Sequence, residues 1–139
     1  LFQYLDAFGL RRPVSSDDVN AYLREISSRD FTAKDFRTWG GTMVAAMALS
    51  AMGPAQSRRQ ADLNIVRALD EVAERLGNTR AVCRSYYVHP GLLQAYHLGL
   101  TASLPSEAKA YSHRRAASAA ALRRNEIAVL QFLQESAAS

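Results

Sequence analysis

The sequence predicts a mainly α, compact multi-helix domain, and three observations predict it. Apolar residues recur at three- and four-residue intervals in several separate runs, as Val19, Tyr22, Leu23 and Ile26 do. Start and stop signals bracket those runs: Ser15 with Asp18 and Thr32 with Asp35 read as capping boxes, and Gly53-Pro54, Gly77 and Gly99 as stops. Of the 139 residues, 48% are hydrophobic, which suits a folded core in a chain of single-domain length.

In chain order, Leu1-Phe2-Gln3-Tyr4-Leu5 is an extended lead-in or short strand, followed by Gly9 and by Arg11-Arg12-Pro13 as a turn signal. The first helix is expected from about Ser16 to Ser27. A second begins at Thr32 and carries Phe36, Trp39, Met43 and Met47 at helical spacing to Met52. Its Ala and Gly content lets neighbouring backbones approach closely, so it is expected at the centre of a bundle. Lys34 and Arg37 sit in its first turns, three apart and on one face. Cations there oppose the helix dipole at a cost of a few tenths to about 1 kcal/mol, and an anion bound at the same end would offset it. A solvated Lys34, with Arg37 packed on Phe36 or paired with Asp35, accounts for them equally well.

Ala61, Ile65, Val66, Leu69, Val72, Ala73 and Leu76 define one long amphipathic helix that starts near Ser57 and ends at Gly77. A short helix is expected from about Thr79 to Tyr86, with Arg80 and Arg84 one turn apart. Pro90 opens the next, through Leu92, Leu93 and Tyr96. After Pro105, an Ala-rich basic run with Arg114-Arg115 and Arg123-Arg124 predicts a peripheral or mobile helix, because it has few large groups to bury. Asn125 is expected to cap a last helix with Ile127, Leu130 and Leu133 inward. Residues 1–139 thus read as one domain, with 105–139 as peripheral C-terminal helices.

Composition narrows the function classes. Seventeen Lys and Arg against thirteen Asp and Glu, a net charge of +4, favour an anionic partner without identifying it. The single Cys83 excludes an internal disulfide and fits a reducing compartment. No apolar run approaches the ~20 residues of a membrane span, and no charged-then-apolar leader opens the chain, so neither a span nor a signal peptide is expected. The start at Leu1 without Met reads as an excised or processed piece. There is no G-x-x-x-x-G-K phosphate loop. Cys83, His89, His97 and His113 lack metal-ligand spacing, and the carboxylates form no isolated acid–base pair.

One stretch does carry chemistry. Between Leu76 and Pro90, Gly77 closes one helix, Asn78 and Thr79 open another, and Tyr86-Tyr87 arrive just before Pro90. A phenol at a helix end, beside an Asn and several arginines, is a candidate nucleophile. Its ordinary pKa is about 10, so it attacks only where cations stabilise the phenolate and the charge on the electrophile. Packing of both tyrosines against Val88 and Leu92 is the simpler reading of the pair taken alone.

Three motifs together decide otherwise: K-D-F-R-T-W-x-G-T over Lys34 to Thr42, L-G-N-T over Leu76 to Thr79, and C-R-x-x-Y-V-H-P over Cys83 to Pro90. From Leu1 to about Tyr96 the chain resembles the catalytic half of a type IB DNA topoisomerase, the compact kind found in bacteria and poxviruses. The resemblance implies that Arg37 and Asn78 contact the scissile phosphate and that Tyr87, not Tyr86, forms the covalent bond to DNA. It makes Lys34, Arg80 and Arg84 DNA contacts. It implies strand cleavage and rejoining through a 3′-phosphotyrosyl link, relaxing supercoils in double-stranded DNA. A monomer in the bacterial cytoplasm, at the nucleoid, is expected, with no nucleotide, cofactor, metal or membrane involved.

The chain departs from the family pattern in three places. Arg80 replaces a Pro that is favoured but dispensable at a first helical position. Gly40 stands where Ala is commoner, loosening the helix by about 1 kcal/mol at most. The family's other Arg and its general-acid Lys, the latter on a β-hairpin, lie upstream of the residues here. The 139-residue piece is therefore expected to be nearly inactive alone. Tyrosine recombinases and integrases share the layout, but carry H-x-x-R and L-G-H where this chain has Lys34-x-x-Arg37 and Leu76-Gly77-Asn78. A helical DNA- or protein-binding module without chemistry is the remaining reading.

Overall fold

The computed structural model describes residues 3–104 and 118–138. The protein is mainly α, with one two-stranded sheet among the described residues. Two compact units divide the chain, the first ending at Arg37 and the second beginning at Thr38.

The first unit opens with β1 (Gln3–Leu5) and β2 (Arg11–Pro13), antiparallel, with Tyr4 opposite Arg12. Arg11-Arg12-Pro13, a turn signal in the sequence, lies in β2, because Asp6 builds the turn instead. Its Oδ1 accepts the backbone N–H groups of Phe8 at 2.9 Å and Leu10 at 3.0 Å, and Gly9 takes the left-handed conformation. Arg12 Nε donates to Asp6 Oδ2 at 3.0 Å. The Leu10 N–H and the Arg12 guanidinium are the main causes that hold the Asp6 carboxyl below its ordinary pKa.

Helix α1 (Ser16–Ser27) has the expected bounds, and its start is a complete capping box between Ser15 and Asp18. Its apolar residues keep the helical spacing, yet none of its residues is buried. Helix α2 (Ala33–Met52) begins with the second expected capping box: Thr32 N–H and its hydroxyl both donate to Asp35 Oδ2 at 2.8 Å. These two bonds lower the Asp35 pKa, the backbone one most.

In the second unit, α2 supplies Gly41, Thr42, Met43, Ala45, Ala46, Ala48 and Leu49 to the buried set, the central role its small residues predict. Helix α3 (Arg58–Leu76) is capped by Ser57 and ended by left-handed Gly77, and buries Ala61, Ile65, Ala68, Leu69 and Val72. Helices α4 (Arg80–Val82) and α5 (Pro90–His97) follow, then α6 (Ala119–Ala138). The buried Tyr96 hydroxyl donates to Gly53 O and accepts from Asn64 Nδ2, both at 2.7 Å. Tyr96→Phe would leave the Asn64 amide without its partner in the interior. We expect a loss of about 1–3 kcal/mol in stability, read as a lower urea midpoint at unchanged slope; an unshifted midpoint would contradict this role.

Of the basic run after Pro105, residues 105–117 lie outside the described residues, and Arg123 and Arg124 lie on α6. Asn125 is not a cap: it is buried on α6, where Ser118 caps the helix by accepting Ala121 N–H at 3.2 Å. The inward face carries Asn125, Val129, Phe132 and Leu133, whereas Ile127 and Leu130 are each 48% exposed. Ala119, Ala120 and Ala121 extend the helix back to Ser118, because Ala is the strongest helix former.

Candidate active site

The segment from Gly77 to Pro90 is built by local rules. Gly77 and Asn78 both donate their backbone N–H to Ala73 O, closing α3. Asn78 is half-buried, and its side-chain amide donates to Leu76 O at 3.3 Å. Thr79 then caps α4 through its hydroxyl, which accepts Val82 N–H at 3.3 Å. The single short helix expected to Tyr86 is not formed. Helix α4 ends at Val82, and Cys83–Tyr87 is a π turn.

The π turn has a packing reason. Cys83 and Val88 are five apart and both buried; a turn that closes i to i+5 brings such positions toward one side, as a regular α turn does not. Val88 is extended, and His89 before Pro90 also has an extended backbone, the conformation favoured ahead of a proline. Of the two tyrosines, Tyr86 is 59% exposed, and Tyr87 is half-buried against the core. His89 caps α5, its Nδ1 accepting Gly91 N–H at 3.1 Å, so the His of V-H-P has a structural task.

Helix α2 meets this segment along one face. Thr38 Oγ1 donates to Tyr86 O at 3.2 Å. Thr42, fully buried, accepts His89 N–H at 3.0 Å and donates its hydroxyl to Thr38 O at 2.8 Å. Between them, Gly41 lets the Tyr87 carbonyl approach the helix backbone. A Cβ at Gly41 would overlap the Tyr87 carbonyl oxygen and lie 3.2 Å from its carbon and 3.3 Å from Leu76 Cδ1. The end of α3 that leads into Asn78 and the peptide that follows Tyr87 therefore converge on one glycine. Gly40, its neighbour, has nothing within 4 Å of such a Cβ.

The residues singled out from sequence divide between the units. Asn78, Arg80, Arg84 and Tyr87 share one continuous segment of the second. Lys34, exposed, and Arg37, half-buried and the last residue of the first unit, precede it on α2. Arg84 is exposed on the π turn. Arg80 makes a bidentate pair with Asp70, Nε to Oδ1 at 2.6 Å and Nη2 to Oδ2 at 2.9 Å. Those hydrogen bonds and the carboxylate charge raise its pKa. Thr38, Gly41 and Thr42 received no role from sequence, although they lie inside the first motif and the spacing of three and four residues puts them on one helix face. Among the described residues, no group of three or more His, Cys, Asp or Glu could hold a metal ion, and no helix is long and apolar enough to cross a membrane.

A family model described as the eukaryotic DNA topoisomerase I catalytic core matches residues 1–113. DNA topoisomerase 1B of Acanthamoeba polyphaga mimivirus is 33% identical over 103 residues, covering 69% of this chain and 31% of that protein. The chain thus belongs to the type IB DNA topoisomerase family, and spans about a third of the length of the curated relative it matches.

Proposed function

We propose that the protein carrying this chain cleaves and rejoins one strand of duplex DNA, relaxing supercoils without a nucleotide. The Tyr87 phenolic oxygen attacks a backbone phosphorus. A tyrosyl–phosphate bond forms at the 3′ end as the bond to the 5′-oxygen breaks. One proton leaves the phenol and one reaches the departing 5′-oxygen, giving a hydroxyl, so the number of phosphoester bonds is unchanged. Religation by that hydroxyl is the reverse reaction, and no outside energy source enters.

Arg37 and Asn78 would hold the non-bridging oxygens as negative charge gathers, Arg37 by a charge-assisted fork and Asn78 by its amide. Lys34 and Arg84 would contact phosphates, giving salt-dependent binding with limited sequence readout. Arg80 would contact DNA by exchanging its Asp70 partner for a phosphate, since the ion pair as it stands is neutral overall. The upstream Arg and Lys that the family uses would complete the site.

The observation that carries this reading is the contrast between the tyrosines. A nucleophile gains from being held in place, and Tyr87 is packed against the core where Tyr86 faces solvent. The test is to mix the full-length protein with supercoiled plasmid and quench with detergent. Protein joined covalently to 3′ ends of nicked DNA is the expected product. Relaxation or binding with no trapped adduct would contradict the proposal.

A further inference from the structure

We propose, resting on Tyr87 as the nucleophile, that Thr38, Gly41 and Thr42 are positioning residues that fix where its phenol stands. Three backbone groups around Tyr87 are seated on them: the Tyr86 carbonyl on the Thr38 hydroxyl, the Tyr87 carbonyl on the bare Gly41 backbone, and the His89 N–H on Thr42 Oγ1. Such a seat is needed here because the tyrosine stands on a π turn that passes directly into extended chain. Neither conformation repeats a hydrogen-bond pattern long enough to hold a side chain in place by itself.

The two threonines are linked, since the Thr42 hydroxyl that receives His89 N–H donates in turn to Thr38 O. Gly41 fixes the distance between the turn and α2. A methyl group there meets backbone, not the end of a flexible side chain, so the Tyr87 peptide itself has to move. A displacement near 1 Å can cost about 10²-fold in the rate of a positioned reaction. The seat thereby ties the reactivity of Tyr87 to the first motif through its small residues as well as through its arginine.

The experiment measures adduct formation by the full-length protein in excess over supercoiled plasmid, with DNA affinity followed separately by filter binding. Gly41→Ala is expected to slow adduct formation by about 10²-fold with affinity unchanged. Gly40→Ala, adjacent and without obstruction, should react at the parent rate. Thr42→Val, which keeps the shape but strands the His89 N–H, should slow the step by about tenfold. Thr42→Ser, which restores the oxygen, should recover it. A purely architectural role would lower folding stability and leave the rate at saturating DNA unmoved.

Parent rates in both Gly41→Ala and Thr42→Val would overturn the seat. If Gly41→Ala does not fold, the Thr42 pair decides: a slow Val with a normal Ser supports the seat, and equal rates overturn it. Tyr87→Phe, run alongside, separates the two readings. An adduct formed by that variant defeats the nucleophile assignment; an inactive Tyr87→Phe beside parent rates in Gly41→Ala and Thr42→Val defeats the seat alone.

Discussion

Tyr87→Phe is expected to abolish the covalent protein–DNA adduct and with it all relaxation, while binding to duplex DNA persists. Removing one oxygen takes away the atom that forms the bond to phosphorus. The aromatic ring stays, so the half-buried packing of Tyr87 against the core is kept. Tyr86→Phe should retain the adduct, because that side chain is 59% exposed, and its carbonyl, not its phenol, receives the Thr38 hydroxyl. Protease digestion of trapped DNA and identification of the modified peptide reads the answer directly. Phosphate on Tyr86 would show that the motif register is displaced by one residue.

The parts of the fold that sequence reveals are those decided by neighbours along the chain. Ser15 with Asp18, Thr32 with Asp35, Ser57 and Gly77 all act within a few residues, and the helices begin and end where they indicate. Where a longer-range contact decides, the reading fails. Arg11-Arg12-Pro13 looks like a turn until Asp6 is seen to fold the chain back and bind Arg12. Asn125 resembles a cap, but the preceding alanines continue the helix and the core takes Val129 in place of Ile127 and Leu130. The π turn has no local sequence signature, and the residues that bound it, Cys83 and Val88, are both buried.

The same division runs through the proposed site. Tyr87 and Asn78 stand out in sequence because the proposed chemistry would use their side chains and the motifs set their register. Thr38, Gly41 and Thr42 do not, because they meet backbone groups, and Gly41 does so by lacking a side chain. Their effect appears only once the distant Tyr86–His89 segment is laid on α2. Arg80 shows the converse: a basic residue beside the catalytic motifs, which is paired with Asp70.

Arg37→Ala, in the full-length protein, should slow cleavage by about two to three orders of magnitude, the usual consequence of deleting one donor to a developing oxyanion. The loss should fall on the chemical step more than on DNA affinity, because the guanidinium is asked to interact most strongly when charge builds on the non-bridging oxygens. Folding should be little affected, since Arg37 is only half-buried. Arg37→Lys tests the geometry separately from the charge. A single ammonium cannot present the planar pair of donors that matches two phosphate oxygens, so it should recover only a small part of the lost rate. Single-turnover cleavage of supercoiled plasmid at saturating protein reads both variants. Cleavage by Arg37→Ala at the parent rate would remove Arg37 from the reaction, and full recovery by Arg37→Lys would reduce its contribution to charge alone.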